Sequence, residues 1–196
     1  MSRLSPMLLS LALVLPAGVA AQSAPLPAAQ QIAAAVLPLP PEFRDHATVL
    51  GYDAAGKLVT LRAGTGDMVC LADDPAVKRF HVACYHKSLE PFMARGRALR
   101  ASGVTGGQVD TVRFAEIRSG KLAMPRGAAS LYSLTDPEGG YDPVTNSAPK
   151  ARPLHVVYMP FATGQSTGLT TTPSDRTAWL MFPGTPKAHI MFVPSM

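Results

Sequence analysis

The stretch "ATVLGYDAAGKLVTLRAG", residues 47–64, contains two short runs rich in Val, Leu and Thr. The tripeptide "AAG" at residues 54–56 separates the runs and supplies a turn, so the stretch predicts a β-hairpin. The next apolar run, "DMVCLADDP" at residues 67–75, predicts a third strand that ends at Asp73-Asp74-Pro75. The folded domain is therefore expected to begin with sheet.

Two helices are expected after these strands. Residues 88–102, "SLEPFMARGRALRAS", repeat apolar residues at helical spacing, with Ser88 as the expected N-cap and Pro91 in the first turn. Residues 109–119 keep neither the helical nor the strand period cleanly. A helix is favoured there because Gly120 suits the position just after a helix end.

Strand patterns return in the last part of the chain. They are "ASLYSL" (129–134), "LHVVYM" (154–159), "AWLMF" (178–182) and "HIMFV" (189–193). The order of strands, then helices, then strands predicts the α+β class. We expect a single small domain with a mainly antiparallel sheet and two or three helices.

Residues 1–21 have the composition of a secretory signal peptide. Arg3 precedes a mostly apolar run from Met7 to Leu15, and Val19-Ala20-Ala21 offers a cleavage site. The run is shorter than the roughly 20 apolar residues that span a bilayer. No later stretch is long and apolar enough to span one, so we expect an exported chain, periplasmic or secreted, with no membrane span after cleavage.

The exported chain is expected to consist of a short N-terminal segment and one domain. Residues 22–41 are rich in Ala, Pro and Gln and predict a short helix near residues 28–36, with the α+β domain following at residues 42–196. The net charge of +5 is small and spread out, and no basic stripe with interleaved aromatic residues is present. Nucleic-acid binding is therefore not expected. No cofactor is expected either, and the partner is expected to be a small ligand or a component of the cell envelope.

The two cysteines, Cys70 and Cys84, admit three interpretations. An exported chain with an even cysteine count favours a disulfide. In the chain-entropy model, closing a loop of about 15 residues adds roughly 3 kcal/mol of stability. A metal site that includes His86 is disfavoured because zinc sites usually contain closely spaced C-x2-4-C pairs. Free thiols are the third interpretation.

Residues 164–168, "GQSTG", match G-x-S-x-G, the nucleophile-elbow pattern of serine hydrolases. Asp175 and His189 follow Ser166 in the order Ser, Asp, His that α/β-hydrolases use. The context argues against an elbow, because "GLTTTPSD" after Ser166 disfavours a helix. Too few residues also separate Ser166 from Asp175 for the helix and strand that intervene in that fold. Ser166 is a weak catalytic candidate and is better interpreted as a polar loop residue.

Two histidines and two methionines fall on predicted strands. His155 and Met159 share one strand, and His189 and Met191 share another. Residues two or four apart on a strand lie on one face, so adjacent strands would bring the four side chains together. Imidazole with soft sulfur suits Cu(I). We favour the alternative that these methionines fill the core and the histidines bond to neighbours, so the four residues are weak metal candidates.

A ligand surface is expected beside the long loop of residues 135–153, which is rich in Pro, Gly, Asp and Asn. The ligand-binding candidates are His155, Tyr158, Trp179 and His189. The first hypothesis is an exported domain that binds a small ligand or a partner. The alternative is an enzyme, either a hydrolase using Ser166 or a metal-dependent enzyme using His155 and His189.

The C-terminal stretch "AWLMFPGTPKAHIMFVP", residues 178–194, resembles a group of uncharacterised exported bacterial proteins. Their shared ending is W-x-M-x-x-G-T-P-x-A-H-I-M, which runs here from Trp179 to Met191. "MVCLADDP" and "PLHVVYMP" are further points of resemblance. The resemblance implies export and a single domain, and it supplies no catalytic residue or ligand.

Overall fold

The computed structural model describes residues 24–193, and the expected signal peptide of residues 1–21 lies outside them. The helices in the described part are α1 (Ala28–Ala35), α2 (Pro41–Arg44), α3 (Glu90–Ala101), α4 (Gln108–Arg118) and α5 (Gly164–Thr167). The strands are β1 (Thr48–Tyr52), β2 (Leu58–Arg62), β3 (Met68–Leu71), β4 (Phe80–His86), β5 (Ala129–Asp136), β6 (Arg152–Tyr158), β7 (Trp179–Met181) and β8 (His189–Phe192). None of the helices within residues 24–193 has the length and apolar character needed to cross a membrane.

The eight strands form one sheet in the order β2-β1-β3-β4-β5-β6-β8-β7. Neighbouring strands are antiparallel except for β1 and β3, which run parallel. The predicted α+β fold with a mainly antiparallel sheet is confirmed. The expected hairpin is formed by β1 and β2.

A close approach at Gly64 explains how β3 comes to lie beside β1. The chain leaves the edge strand β2 and passes directly against the start of β1, where Gly64 N–H donates to Thr48 Oγ1 at 3.1 Å. A Cβ atom at Gly64 would lie 2.3 Å from the carbonyl oxygen of His46 and from the backbone nitrogen of Thr48. Because only glycine lacks that atom, this residue permits the passage to the far side of β1.

One row of residues crosses six strands on the sheet face that α1 covers, and we call it the central row. From β1 to β8, the row contains Val49, Cys70, Cys84, Tyr132, His155 and Phe192. Val49, Cys70 and Cys84 are completely buried in one cluster with Ala35 of α1. The small alanine side chains let the helix lie close to this half of the row.

The opposite face of the sheet is covered by α3 and α4. Phe92 of α3 is buried against Tyr85, Val156 and Tyr158 of the sheet. Phe114 and Ile117 of α4 pack against the same cluster, together with Leu122, Met124 and other residues of the segment that leads into β5. This cluster forms the apolar core on this side of the sheet.

The disulfide predicted between Cys70 and Cys84 is confirmed. The two residues face each other directly across β3 and β4, with their Cα atoms 4.0 Å apart. The bridge therefore joins two adjacent strands beneath α1.

Three local findings go beyond the sequence patterns or change them. Residues 80–86 form the central strand β4, which the sequence analysis did not assign. Ser88 does not cap α3, because it lies in a 3₁₀ turn (Lys87–Leu89), where its N–H donates to His86 Nδ1. The helix expected near residues 28–36 is present as α1, and it packs on the sheet as part of the domain core.

Candidate ligand-binding cleft

The second half of the central row forms the floor of a cleft. Helix α1 packs mainly on β1, β2 and β4, so it does not cover β6 and β8. A cavity of about 580 Å³ lies there instead. Its floor consists of Ser130, Tyr132, His155, Val157 and Phe192. The volume falls within the roughly 300–1,000 Å³ that small-molecule sites occupy.

The wall of the cleft is the loop that leads into β7. Ser174 Oγ accepts the backbone N–H groups of Arg176 and Thr177, each at 3.1 Å, and this forms a compact turn. The turn places Asp175 and Arg176 against the cavity. Among residues 24–193, no ion pair engages either of these two charged side chains.

The rings on the floor are arranged so that a ligand could contact them. Tyr132 and His155 meet edge to face, with ring centroids 5.2 Å apart and planes inclined at 72°. Within the described part of the chain, no hydrogen bond engages either ring nitrogen of His155. Phe192 is 40% exposed at the end of the row. The floor therefore offers an imidazole with free nitrogens between two aromatic rings.

A second cavity of about 540 Å³ adjoins the first and shares Ser130 and Tyr132 with it. His46 and His86 line this cavity, and each is oriented by a hydroxyl group. His46 Nδ1 lies 3.2 Å from Thr65 Oγ1, and His86 Nδ1 lies 2.8 Å from Ser88 Oγ. The two cavities form one extended depression along the open face of the sheet.

His189 lies on the opposite face of the sheet. Its register partners are Tyr158 and Met181, and its Nδ1 donates to the Lys187 carbonyl oxygen at 2.7 Å. The ring centroids of His189 and Tyr158 are 5.0 Å apart. Burial lowers the pKa of His189 and raises the pKa of Tyr158 to about 12. The imidazole is a neutral core group that orients the β8 strand end.

An ionic cluster lies close to His189 and connects α4 to β8. Lys187 Nζ donates to Asp110 at 2.8 Å, and Arg113 donates to the same carboxylate. The buried Arg113 guanidinium also lies 3.7 Å from the Phe92 ring centroid and donates to the Phe92 carbonyl oxygen. Burial raises the pKa of Asp110, but hydrogen bonds from Lys187 and Arg113 outweigh burial and hold this pKa below its usual value. The cluster anchors the α4 helix to the sheet.

Trp179 and Tyr158 are core residues on the His189 side, exposed by only 9% and 7%. The long loop lies at the other end of the β5–β6 hairpin, since Ala129 pairs with Tyr158 and Thr135 pairs with Arg152. The expected surface between this loop and Tyr158 is therefore not formed. Of the four ligand-binding candidates, only His155 lies in the cleft.

Ser166 is engaged in a local capping arrangement. It is the third residue of the single-turn helix α5, where its Oγ accepts the Thr163 N–H and donates to the Thr163 carbonyl oxygen. Strand β6 ends well before this helix, so no strand leads directly into the serine. In the described residues no hydrogen bond links Ser166 to Asp175 or His189. The hydroxyl stabilises the start of α5.

The structure does not bring the four metal candidates together. His155 pairs with Phe192 and His189 pairs with Tyr158, so the two imidazoles project from opposite faces of the sheet. Met191 packs in the helix-side cluster, and Met159 packs beside Leu180 on the other side. Within residues 24–193, no group of three or more His, Cys, Asp or Glu side chains is arranged to hold a metal ion.

The sequence analysis missed Tyr132 and Phe192 as site residues. Both lie on predicted strands, but no sequence signal identified the strands whose face stays uncovered. Asp175 was considered only as a partner of Ser166, whereas the structure places it in the wall of the cleft whose floor contains His155. Only the register of the paired strands shows that Tyr132, His155 and Phe192 lie side by side on one face of the sheet.

The fold and the cleft together define an α+β domain with an open depression on one face of its sheet. Comparison with family models, with curated proteins and with solved structures found no match.

Proposed function

We propose that this chain is an exported binding protein, periplasmic or secreted, that holds a small ring-bearing ligand in the cleft. The observation that carries the proposal is that α1 covers only part of one sheet face and leaves β6 and β8 open on that face. Tyr132, His155 and Phe192 belong to interior strands of a large sheet and remain open to a cavity of about 580 Å³. An apolar sheet face of this kind is normally covered, and aromatic rings left open beside polar groups are typical of recognition sites.

The side chains of the cleft favour a flat ligand with polar substituents. Tyr132 and Phe192 present ring surface, which suits stacking or edge-to-face contact with another ring. His155 can donate or accept a hydrogen bond at the centre of the floor. Arg176 on the wall suits an acidic or carbonyl substituent. We infer that the ring lies on the row and that its polar group points toward the 175–178 wall.

Export is supported by two independent features. The first is the composition of residues 1–21, which is typical of a signal peptide. The second is the Cys70–Cys84 disulfide, a bond that persists in oxidising compartments. The resemblance of the C-terminal stretch to exported bacterial proteins agrees with both features.

The enzyme alternative has less geometric support than binding. Ser166 is committed to the capping bonds at Thr163. His155 and His189 lie on opposite faces, so they cannot share one metal ion. The rings and polar groups of the cleft support recognition without requiring a nucleophile.

NMR titration of the ¹⁵N-labelled exported chain tests the proposal. The probes are benzoate, benzylamine and phenol, which share a ring and differ in charge. We expect saturable shifts of the amide signals of residues 130–132, 155–157 and 175–178, with benzoate bound best because of Arg176. His155→Ala and Tyr132→Ala should each weaken that binding by about threefold to tenfold.

Phe161→Ala provides the matched control, because Phe161 is an exposed ring outside the cleft. This variant should bind benzoate as the parent does. Phe161→Ala and His155→Ala should both keep the parent melting temperature within a few degrees. The proposal would be overturned if none of the three probes shifted the cleft amides. Equal weakening by Phe161→Ala would also overturn it, since the contact would then be nonspecific.

A further inference from the structure

A second group of ionisable side chains surrounds a small cavity on the opposite face of the sheet. The cavity has a volume of about 210 Å³, and Leu71 and Ala83 are register partners in its floor. Leu71 packs with the cluster beneath α3 and α4, so the cavity lies on the helix-covered side. It is therefore separate from the cleft around His155.

Five polar side chains from three parts of the chain line this cavity. They are Tyr52 from β1, Asp73, Asp74 and Arg79 from the β3–β4 connection, and His81 from β4. Acidic, basic and hydroxyl groups therefore meet around one small cavity. Groups of both charge signs at one small cavity suit a ligand that itself carries both signs.

Backbone hydrogen bonds fix the two carboxylates in place. Asp73 Oδ1 accepts the backbone N–H of His81 at 2.7 Å. Asp74 Oδ1 accepts the backbone N–H of Ala76 at 2.9 Å and so forms an Asx turn. His81 is held in turn by Thr135, with 2.8 Å between Nδ1 and Oγ1. The cavity is thus organised before a ligand arrives, which limits the entropy lost on binding.

The negative charge in this cavity is incompletely compensated. No ion pair within residues 24–193 joins Arg79 to Asp73 or Asp74. Burial raises the pKa of Asp73 to about 6, and the charge of Asp74 adds to this effect. Burial likewise raises the pKa of Tyr52 to about 12, so its hydroxyl stays protonated beside Asp74. A positive group placed here would relieve the cost of holding two carboxylates together.

We propose that this cavity binds the ammonium and carboxylate groups of a small zwitterion of the size of a free amino acid. Asp73 and Asp74 receive the ammonium group, and the exposed Arg79 guanidinium receives the carboxylate in a paired, charge-assisted contact. The volume of about 210 Å³ lies below the usual range for drug-sized ligands and admits only a short side chain.

Titration of the ¹⁵N-labelled exported chain at pH 6 with glycine, L-alanine and L-serine tests this assignment. At least one of the three is expected to give saturable shifts of the His81 and Asp74 amide signals. The methyl ester and the N-acetyl derivative of that amino acid each lack one charge. Each should bind more weakly than the amino acid by at least about tenfold. Binding should also release protons near pH 6, because an ammonium group lowers the pKa of Asp73. Calorimetry in two buffers of different ionisation enthalpy measures that release.

Charge-neutralising variants locate the site. Asp74→Asn and Arg79→Gln should each weaken binding by about tenfold. Asp45→Asn and Arg126→Gln remove exposed charges elsewhere and should leave binding unchanged. Arg79 is exposed, so its variant tests the site even if Asp74→Asn disturbs the loop. No saturable shift with any of the three amino acids would overturn the proposal, as would equally tight binding of the methyl ester or the N-acetyl derivative.

Discussion

The two halves of the central row differ in what covers them. Val49, Cys70 and Cys84 are completely buried beneath α1, whereas His155 is half-buried and Phe192 is 40% exposed. Both halves lie on the same face of the same sheet, in continuous register. The covered half has small apolar side chains that fit under a helix, and the open half has large rings that project into a cavity. We infer that the covered half maintains the fold and that the open half is free to serve recognition.

The largest effect that tests this division is expected from a matched pair of phenylalanine substitutions. Phe80 is 2% exposed on β4, on the α1 side of the sheet, whereas Phe192 is 40% exposed over the cleft. Phe80→Ala leaves a cavity in the core and should lower the free energy of unfolding by about 3–5 kcal/mol. Phe192→Ala should lower it by about 1 kcal/mol or less. Urea unfolding followed by the fluorescence of Trp179, the single tryptophan, measures both values.

The two variants should rank in the opposite order when their effect on ligand binding is measured. Phe192→Ala should weaken benzoate binding, while folded Phe80→Ala should bind as the parent does. Similar stability losses in the two variants would show that the open half also supports the fold, and the division would then be wrong.

A smaller effect is expected from removal of the disulfide in the covered half. Cys70 and Cys84 are 14 residues apart in sequence, and the double variant Cys70→Ala/Cys84→Ala should lose roughly 3 kcal/mol in the chain-entropy model. His155→Ala, two strands further along the same row, should cost about 1 kcal/mol or less. Urea midpoints with unchanged slopes would report stability alone. A double cysteine variant as stable as the parent would mean that α1 packing, without the bridge, holds this half together.

Much of the sheet was predictable because its strands carry local signals. The turn at residues 54–56 predicted the β1–β2 hairpin, and β-branched runs predicted β6 and β8. Strand β4 was missed because its sequence, "FHVACYH", does not alternate between apolar and polar residues. The residues on each face are a mixture of ring-bearing, polar and small side chains. Both of its faces are buried or nearly so, which removes the contrast on which the pattern depends.

The candidate site was less predictable because it depends on long-range register. Pairing of His155 with Phe192, and of Tyr158 with His189, decides which side chains share a face. A shift of one residue would have placed His155 and His189 on one side, as the metal hypothesis required. The sequence contains no local signal for that register. It also contains none for the absence of a helix over β6 and β8 on the sheet face that α1 partly covers.

The smallest effect is a pH dependence that originates at His189, on the sheet face opposite the cleft. Burial lowers the pKa of His189 below the usual value near 6.5 for an unfolded chain. At neutral pH both states carry a neutral imidazole, and the contribution of His189 to stability is fully present. As the pH falls below about 6.5, the unfolded state takes up the proton first, so the free energy of unfolding decreases. Urea unfolding between pH 7.5 and 5 measures this decrease.

His189→Gln should reduce that decrease, because glutamine can still donate to the Lys187 carbonyl oxygen but does not titrate. Asp73→Asn is the complementary variant. The Asp73 carboxyl group has a pKa of about 6 in the folded state, above the value of about 3.8 in the unfolded state. Asp73 therefore contributes to stability at low pH, and this contribution is lost as the pH rises through 6. Removing Asp73 should therefore steepen the loss of stability on acidification, whereas removing His189 should flatten it. If both variants changed the pH profile in the same direction, the assignment of these opposite roles would be wrong.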